Sequence, residues 1–182
     1  MSYLYFPDEK QPQNVIVLSN SVYQSYLGRY FLGQTKTIYF EDNSMAWGGL
    51  INPDNSNVNM FLNAYTISNY SDQPITAEGW LSSSLPGAAI TSHDYAAGNQ
   101  SIAPPTQPMV KIQSANYVTT TPSDGTYAFT RRVEPMITLT KHDFQGMYMI
   151  PPGGSFVLFF LPGNKKPIHV RIAFGWWEEE ID

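Results

Sequence analysis

The sequence predicts an all-β protein: an antiparallel β-sandwich, jelly-roll-like, with at most one short helix. Short segments rich in β-branched and aromatic residues recur along the whole chain, which is typical of strands. Segments loaded with turn-forming residues, such as "NPDNSN", "NYSDQP" and "LPGNKKP", separate them. The chain also has 14 prolines and 13 glycines, which punctuate loops and block long helices.

Ten segments carry the strand signal, and their spacing is typical of a sandwich or a barrel. In chain order they are residues 14–18, 35–41, 57–69, 75–81, 109–118, 126–134, 136–140, 147–150, 155–161 and 168–177. One further segment, residues 19–33, shows helical periodicity after a Ser/Asn start, although Gly28 interrupts it. Residues 82–108 show only weak periodicity, and so long a stretch predicts a contact region.

The length of the chain fits one domain. At 182 residues it can bury a core without disulfides or metal, so we expect a single β-sandwich domain over residues 14–182. Residues 1–13 are predicted to be an extended N-terminal arm. No basic segment followed by an apolar one opens the sequence, and no apolar run has the length of a membrane span. We therefore expect synthesis in the cytoplasm without a signal peptide, and no membrane partner.

The charge of the chain argues against nucleic acid as a partner. The net charge is −5 with only ten Lys and Arg, whereas a nucleic-acid reader shows a basic stripe. Only 14% of the residues are charged, against about 25% in a typical soluble domain. The surface must therefore be rich in uncharged polar residues and tyrosine. Such a surface repels its own copies weakly and favours contacts with protein or sugar.

No motif predicts catalysis. The chain has no cysteine, and His93, His142 and His169 lie in separate segments without a metal-binding spacing. No nucleophile elbow, phosphate-binding loop or dinucleotide fingerprint is present in the sequence. We therefore expect a protein that is not an enzyme and that binds no cofactor or metal. A hydrolase is the last alternative, since paired carboxylates can come from distant segments.

The last predicted strand contains two adjacent tryptophans, which cannot both face one core because alternate residues of a strand point to opposite sides. We expect Trp177 to emerge on the outward face beside Arg171, unless Gly175 supports a bulge that shifts the register. The alternative is a local bend that shields both rings within the same domain. The set that we expect to face the core is Ile168, Val170, Ile172, Phe174 and Trp176.

Two other strands are apolar on both faces. In residues 155–161 both alternating sets are apolar, and in residues 57–69 Phe61, Tyr65 and Ile67 lie opposite the set that begins at Val58. One face of each strand packs in the sandwich, so the other face needs a cover: a loop, the N-terminal arm or a neighbouring copy. This excess of apolar surface predicts self-association, and long loops folded over the sheet are the alternative.

The N-terminal arm "MSYLYFPDEKQPQ" is a candidate contact. Tyr3, Leu4, Tyr5 and Phe6 form an apolar tip on a polar tether that contains two prolines. Such a tip can reach a neighbouring molecule and add to an open sheet edge, and a disordered terminus is the alternative. We therefore predict a structural protein that assembles with other copies of itself into a filament or other homo-oligomer. The predicted self-association residues are Tyr3, Leu4, Tyr5, Phe6, Trp177 and Arg171.

A carbohydrate-binding module is the second hypothesis, with polysaccharide as the partner. The chain has four tryptophans and twelve tyrosines, and exposed rings can stack on sugars. The candidate sugar-binding residues are Trp47, Trp80 or Trp177, together with Tyr95 from residues 82–108. Packing in the core is the more frequent use of such rings.

Four segments together resemble an uncharacterised domain family of spore-forming Firmicutes, over most of the chain from about residue 20 onward. They are "MAWGGLINP", "NAYTISNYSDQPITAEGWL", "IPPGGSFVLFF" and "RIAFGWWEEE". The arrangement of strands around "NYSDQP" and "IPPGGS" is more loosely similar to the jelly-roll subunits of spore-surface appendage fibres. This likeness implies a filament on the spore or cell surface. Those subunits use cysteines to lock neighbours together, and this chain has none.

Overall fold

The computed structural model describes residues 17–41, 43–142, 144, 146–162 and 166–181, and these form one helix and thirteen strands. The elements are α1 (Asn20–Tyr26), β1 (Tyr30–Gln34), β2 (Ile38–Phe40), β3 (Met45–Ile51), β4 (Val58–Asn69), β5 (Ile75–Leu81), β6 (Ile90–Ser92), β7 (Tyr95–Ala97), β8 (Lys111–Val118), β9 (Thr126–Val133), β10 (Thr138–Lys141), β11 (Tyr148–Ile150), β12 (Ser155–Phe160) and β13 (Ile168–Glu180). No helix in this part of the chain is long and apolar enough to cross a membrane.

The strands form two antiparallel sheets. The seven-stranded sheet has the order β10-β4-β13-β1-β7, with β11 also paired to β4 and β2 also paired to β13. The six-stranded sheet has the order β6-β8-β3-β12-β5-β9. Consecutive strands β3, β4 and β5 alternate between the two sheets, and so do β12 and β13. The predicted fold class, an all-β antiparallel sandwich with one short helix, is confirmed.

One large apolar core fills the space between the sheets. The six-stranded sheet contributes Phe156, Leu158 and Phe160, and the seven-stranded sheet contributes alternate residues of β13 from Ile168 to Trp176. These side chains are at most 3% exposed. Each such burial contributes about 1.5–3 kcal/mol. The prediction that the even-numbered residues of the last strand face the core is confirmed.

A bulge in β4 changes which of its residues face the core. Gly175 lies opposite Ala64 and Trp176 lies opposite Leu62, so Asn63 is an extra residue on β4. Residues before Asn63 therefore face the core at even positions, and Tyr65 and Ile67 face it at odd positions. The expectation that Tyr65 and Ile67 face outward is wrong, since the bulge gives this strand one apolar face instead of two.

The segment with helical periodicity divides into a helix and a strand. Gly28 has a positive φ of 75°, and Arg29 N–H donates to the Gln24 carbonyl oxygen, an arrangement that ends helices. Residues 30–34 form β1 rather than continuing the helix. The first predicted strand, 14–18, lies outside the described residues except for 17 and 18, which are not in a strand.

Sequence reasoning missed β3, β6 and β7. Strand propensity is low in β3 because it contains Gly48 and Gly49. A Cβ atom on Gly48 would lie 2.8 Å from the Cδ1 atoms of both Ile172 and Ile38, so glycine lets the two sheets approach closely. The other two strands fall within residues 82–108, which are not a structureless loop.

Two chain segments cross the outer face of the six-stranded sheet. Residues 82–89 connect β5 to β6, and residues 119–125 connect β8 to β9, and in both cases the strands lie on opposite sides of the sheet. The segments join through backbone hydrogen bonds between Ser84 and Ser123 of 2.8 and 3.1 Å. We call them together the crossover strap. For the outer face of residues 155–161 we considered a loop, the N-terminal arm or a neighbouring copy as the cover. The crossover strap is a loop of the same chain, so the first alternative applies.

Candidate functional site

The middle of the outer face of the seven-stranded sheet is uncovered by the described residues. Its floor is formed by small side chains, because Ala173 lies opposite Thr66 and Gly175 lies opposite Ala64. On β1, the other neighbour of β13, Leu32 lies opposite Gly175 and is 51% exposed. Together these side chains line a shallow depression of about 180 Å³. We call it the apolar groove, and its outward residues are Tyr30, Leu32, Ala64, Thr66, Ala173 and Gly175.

Gly175 is required at the floor of the apolar groove by the position of Tyr30. A Cβ atom on Gly175 would clash with the Tyr30 hydroxyl oxygen. This hydroxyl also accepts a hydrogen bond of 3.0 Å from the Asn63 side chain, the extra residue of the β4 bulge. The bulge, the tyrosine and the glycine therefore form one packed unit at the end of the groove.

A cationic end continues from the apolar groove along β13. Arg171 lies two residues before Ala173 and so projects from the same face, about 6.6 Å further along the strand. Its Nη2 atom donates to Thr37 Oγ1 at 2.8 Å, and its Nε atom has no partner among the described residues. None of the three salt bridges found in the described part of the chain includes Arg171. This end of the outer face thus presents a positive charge that has no carboxylate partner among the described residues.

Aromatic rings surround the cationic end. The Tyr39 and His169 rings meet edge to face with centroids 4.9 Å apart. Thr37, Tyr70, His169 and Arg171 line a depression of about 400 Å³. We use the name open face for the apolar groove and this cationic end together.

The prediction that Trp177 is an exposed contact residue is wrong. The ring lies on the outward face, but it is 0% exposed. The ring stacks on Phe61, with centroids 5.2 Å apart and an angle of 2° between the planes. Gly146 packs against the Cη2 and Cζ2 atoms of the indole. Trp177 lies six positions after Arg171, which is about 20 Å along the strand, so the two do not form one contact. The chain itself thus shields the second tryptophan.

Glutamates on the same strand hold both indoles. Glu179 Oε1 accepts a hydrogen bond of 2.9 Å from Trp177 Nε1 and another of 2.7 Å from the Gln24 side chain of α1. Glu178 accepts hydrogen bonds from Trp176 Nε1 and from the backbone N–H groups of residues 109 and 110, at 2.8 to 3.1 Å. Burial raises the pKa of Glu178, which these donors oppose. In the sequence, the only signal for these carboxylates is the acidic cluster after the two tryptophans, and in the structure they hold the fold together.

The predicted sugar-binding residues do not form one site. Trp47 is 1% exposed because it lies under the crossover strap, where its Nε1 atom donates a hydrogen bond of 2.7 Å to the Pro86 carbonyl oxygen. The prediction that its ring is available to a sugar is therefore wrong. Trp80 is half-buried on the same face, with its ring edge to face with Tyr127 at 5.5 Å. Tyr95 lies on β7, an edge strand of the seven-stranded sheet, and its hydroxyl donates a hydrogen bond of 2.9 Å to Gln107 Oε1.

Tyr95 and His93 lie where two further depressions meet. One, of about 480 Å³, adjoins the apolar groove at Leu32 and Ala173. The other, of about 360 Å³, also contains Lys111. Among the described residues, no group of three or more acidic or histidine side chains could hold a metal ion. The predicted arm residues Tyr3, Leu4, Tyr5 and Phe6 lie outside the described residues.

Fold and surface define the protein as a two-sheet antiparallel β-sandwich, in which the described residues cover one outer face and leave the middle of the other open. A family model described as "Family of unknown function (DUF6143)" matches residues 1–182, and the chain belongs to this family. The prediction of an uncharacterised domain family is thereby confirmed, and the match includes the first twenty residues as well. No curated protein and no solved structure matches the chain.

Proposed function

We propose that this protein is a structural subunit that assembles with copies of itself, as a filament or other homo-oligomer on the surface of a spore or cell. The observation that carries the proposal is the open face. The crossover strap covers the outer face of the six-stranded sheet, whereas the open face leaves Leu32 exposed and contains Arg171, which has no carboxylate partner among the described residues. Exposed apolar surface next to polar groups is typical of a protein interface.

Other exposed apolar side chains lie on the same sheet. Met149 and Phe61 are paired across β11 and β4 and project outward beside Trp177, and Met149 is 57% exposed. Met147, which precedes β11, is 76% exposed. Methionine adapts to partners of different shape, so it suits a contact surface. The low charge of the chain adds little repulsion between copies.

The edges of the sheets favour docking on a face over the addition of a strand. The longest edge strand among those described is β9, whose outer side has no partner in the described part of the chain. Opposite Gly79 and Trp80 the register shifts, so Ala128 is an extra residue in β9, and Arg131 projects toward the core side over the Phe129 ring at 4.7 Å. Bulges and inward-pointing charges protect edges from pairing. We therefore place the contact on the open face.

Light scattering coupled to size-exclusion chromatography tests the proposal, with negative-stain microscopy of the same fractions. We expect the full chain to form particles larger than a monomer, and a variant without residues 1–13 to remain monomeric with an unchanged cooperative melt. A full-length protein that stays monomeric at high concentration would contradict self-assembly. Assembly that persists without residues 1–13 would remove the arm from the contact.

Binding of polysaccharide is a second candidate, and one observation favours it. The depressions beside Tyr95 and His93 combine a tyrosine ring with polar groups of Thr91, Asp94 and Lys111, the combination that sugars need. Isothermal titration with soluble polysaccharides should then give heat that Tyr95→Ala abolishes. The matched control is Tyr117→Ala, an exposed tyrosine away from these depressions. Titrations without heat for the wild-type chain would dispose of this candidate.

A further inference from the structure

We propose that the open face of each subunit binds the N-terminal arm of a neighbouring copy, with the aromatic tip of the arm in the apolar groove and its acidic residues at Arg171. This inference rests on the proposed function and names the two surfaces that meet. The occupant is residues 3–9 of the neighbour, "YLYFPDE". Three properties of the two surfaces match: size, charge and spacing.

The size of the apolar groove suits one aromatic ring. It has a volume of about 180 Å³, and a dry apolar cavity of about 150 Å³ is large enough to hold benzene. Its floor is made of Ala64, Ala173 and Gly175, so an incoming ring can lie close to the backbone. Tyr3, Tyr5 and Phe6 each offer such a ring. Covering Leu32, now half exposed, adds apolar burial.

The charges of the two surfaces are opposite. Arg171 forms no salt bridge within the described residues, so its guanidinium can still donate hydrogen bonds to a carboxylate. The arm carries Asp8 and Glu9 directly after its apolar tip. A carboxylate at Arg171 would compensate a guanidinium that is partly removed from water and that, among the described residues, donates only to the Thr37 hydroxyl.

The spacing of the groups agrees in both partners. On β13, Arg171 lies two residues from Ala173 at the groove, and on the arm Asp8 lies two residues from Phe6. Extended segments advance about 3.3 Å per residue, so both separations are about 6.6 Å. An extended arm can therefore place Phe6 in the apolar groove and Asp8 at Arg171 together.

The tether is long enough to reach another molecule. Residues 7–16 separate Phe6 from Val17, and an extended chain of this length spans about 35 Å. A domain of this size has a radius of gyration of about 16 Å. Because every subunit carries both an arm and an open face, arm-to-face contacts between copies are heterologous and propagate into a filament or close into a ring.

Complementation between two full-length variants tests the inference. One variant, Phe6→Ala with Tyr3→Ala, lacks the arm contact, and the other, Arg171→Glu, lacks the face contact. We expect each to be monomeric, with association weakened about tenfold or more. Mixed together they should form a one-to-one dimer, since one intact arm meets one intact face. Leu32→Glu serves as a second face variant should Arg171→Glu fail to fold, as judged by its melt.

Charge exchange adds a specific readout, and the matched control is Arg132→Glu, which reverses an exposed cation on the other sheet. Asp8→Arg with Glu9→Arg should restore assembly to Arg171→Glu, and Arg132→Glu should assemble like wild type. Two monomeric variants that never form a mixed dimer would mean that the arm docks on its own domain, which overturns the inference. Variants that assemble like wild type would also overturn it and leave self-assembly standing, whereas a monomeric wild type removes both proposals.

Discussion

The outer faces of the two sheets differ in what covers them, and the order of the strands explains the difference. In the six-stranded sheet, β5 leads to β6 and β8 leads to β9 across the sheet, so both connections cross its face. In the seven-stranded sheet, β4 is entered from β3 and left toward β5, both in the other sheet, so these connections lie at the ends of the sandwich. Among the described residues, topology therefore decides which outer face is covered.

The side chains on each face agree with the cover that topology supplies. Under the crossover strap the outward residues are large and apolar, with Trp47, Val157 and Phe159 all buried. On the open side of the seven-stranded sheet the corresponding positions hold smaller residues such as Thr66, Ser68 and Ala173, and Leu32 is a large apolar side chain that the described residues leave half exposed. A strand with apolar residues on both faces thus indicates that its outer face is covered. A strand with apolar residues on only one face indicates that its outer face is accessible.

The largest expected effect is at the covered face. Trp47→Ala should lower the free energy of unfolding by about 3–5 kcal/mol, because it leaves a cavity under the strap and removes the donor to Pro86. Urea titration followed by circular dichroism measures this loss. Trp47→Phe, which keeps most of the volume, is the matched control and should lose less. A loss below about 1 kcal/mol would mean that the strap does not stabilise this face.

Glu178→Ala should follow, with a loss of about 2–4 kcal/mol, because three buried N–H donors lose their acceptor. Glu178→Gln is the control, since an amide oxygen replaces part of the acceptor capacity. Urea titrations at pH 7 compare the two variants. Equal stability of Glu178→Ala and wild type would show that water replaces the carboxylate there.

The pH dependence of the same residue has a defined sign. Because burial raises the pKa of Glu178 above its unfolded value, the folded protein favours the protonated acid. The stabilisation by this group is complete below the unfolded pKa, near 4.5, and is lost as the pH rises through the folded pKa. The stability of wild type relative to Glu178→Gln should therefore increase as the pH falls from 7 toward 4. A relative decrease would reverse the assigned direction.

A smaller loss is expected at the boundary between the groove and the shielded tryptophan. Gly175→Ala places a methyl group on the Tyr30 hydroxyl and should cost about 1–3 kcal/mol. Tyr30→Phe removes this hydroxyl, so the double variant should lose less than the sum of the two single losses. Urea titration of all four proteins gives the coupling. Strictly additive losses would mean that the two side chains do not share this space.

Alternation along the strands was enough to predict much of the sandwich and one feature of the site. The inward set of β13 and the outward position of Arg171 follow from a period of two. The Asn63 bulge could not be predicted, because one inserted residue moves Tyr65 and Ile67 to the other face without any composition signal. Trp177 misled for a related reason, since its cover comes from residues distant in sequence.

The smallest effect on stability is expected on the open face. Leu32→Ala should change the free energy of unfolding by less than about 1 kcal/mol, since half of this side chain already contacts water. Leu50→Ala, at a fully buried leucine of the core, is the matched control and should lose about 2–5 kcal/mol. In size-exclusion chromatography Leu32→Ala should reduce assembly more than Leu50→Ala. Truncation at Leu32 removes apolar contact area between subunits, whereas the Leu50 side chain is fully buried in its own subunit. If Leu32→Ala destabilised the monomer as strongly as Leu50→Ala, this face would belong to the core, and the contrast between the two sheets would fail.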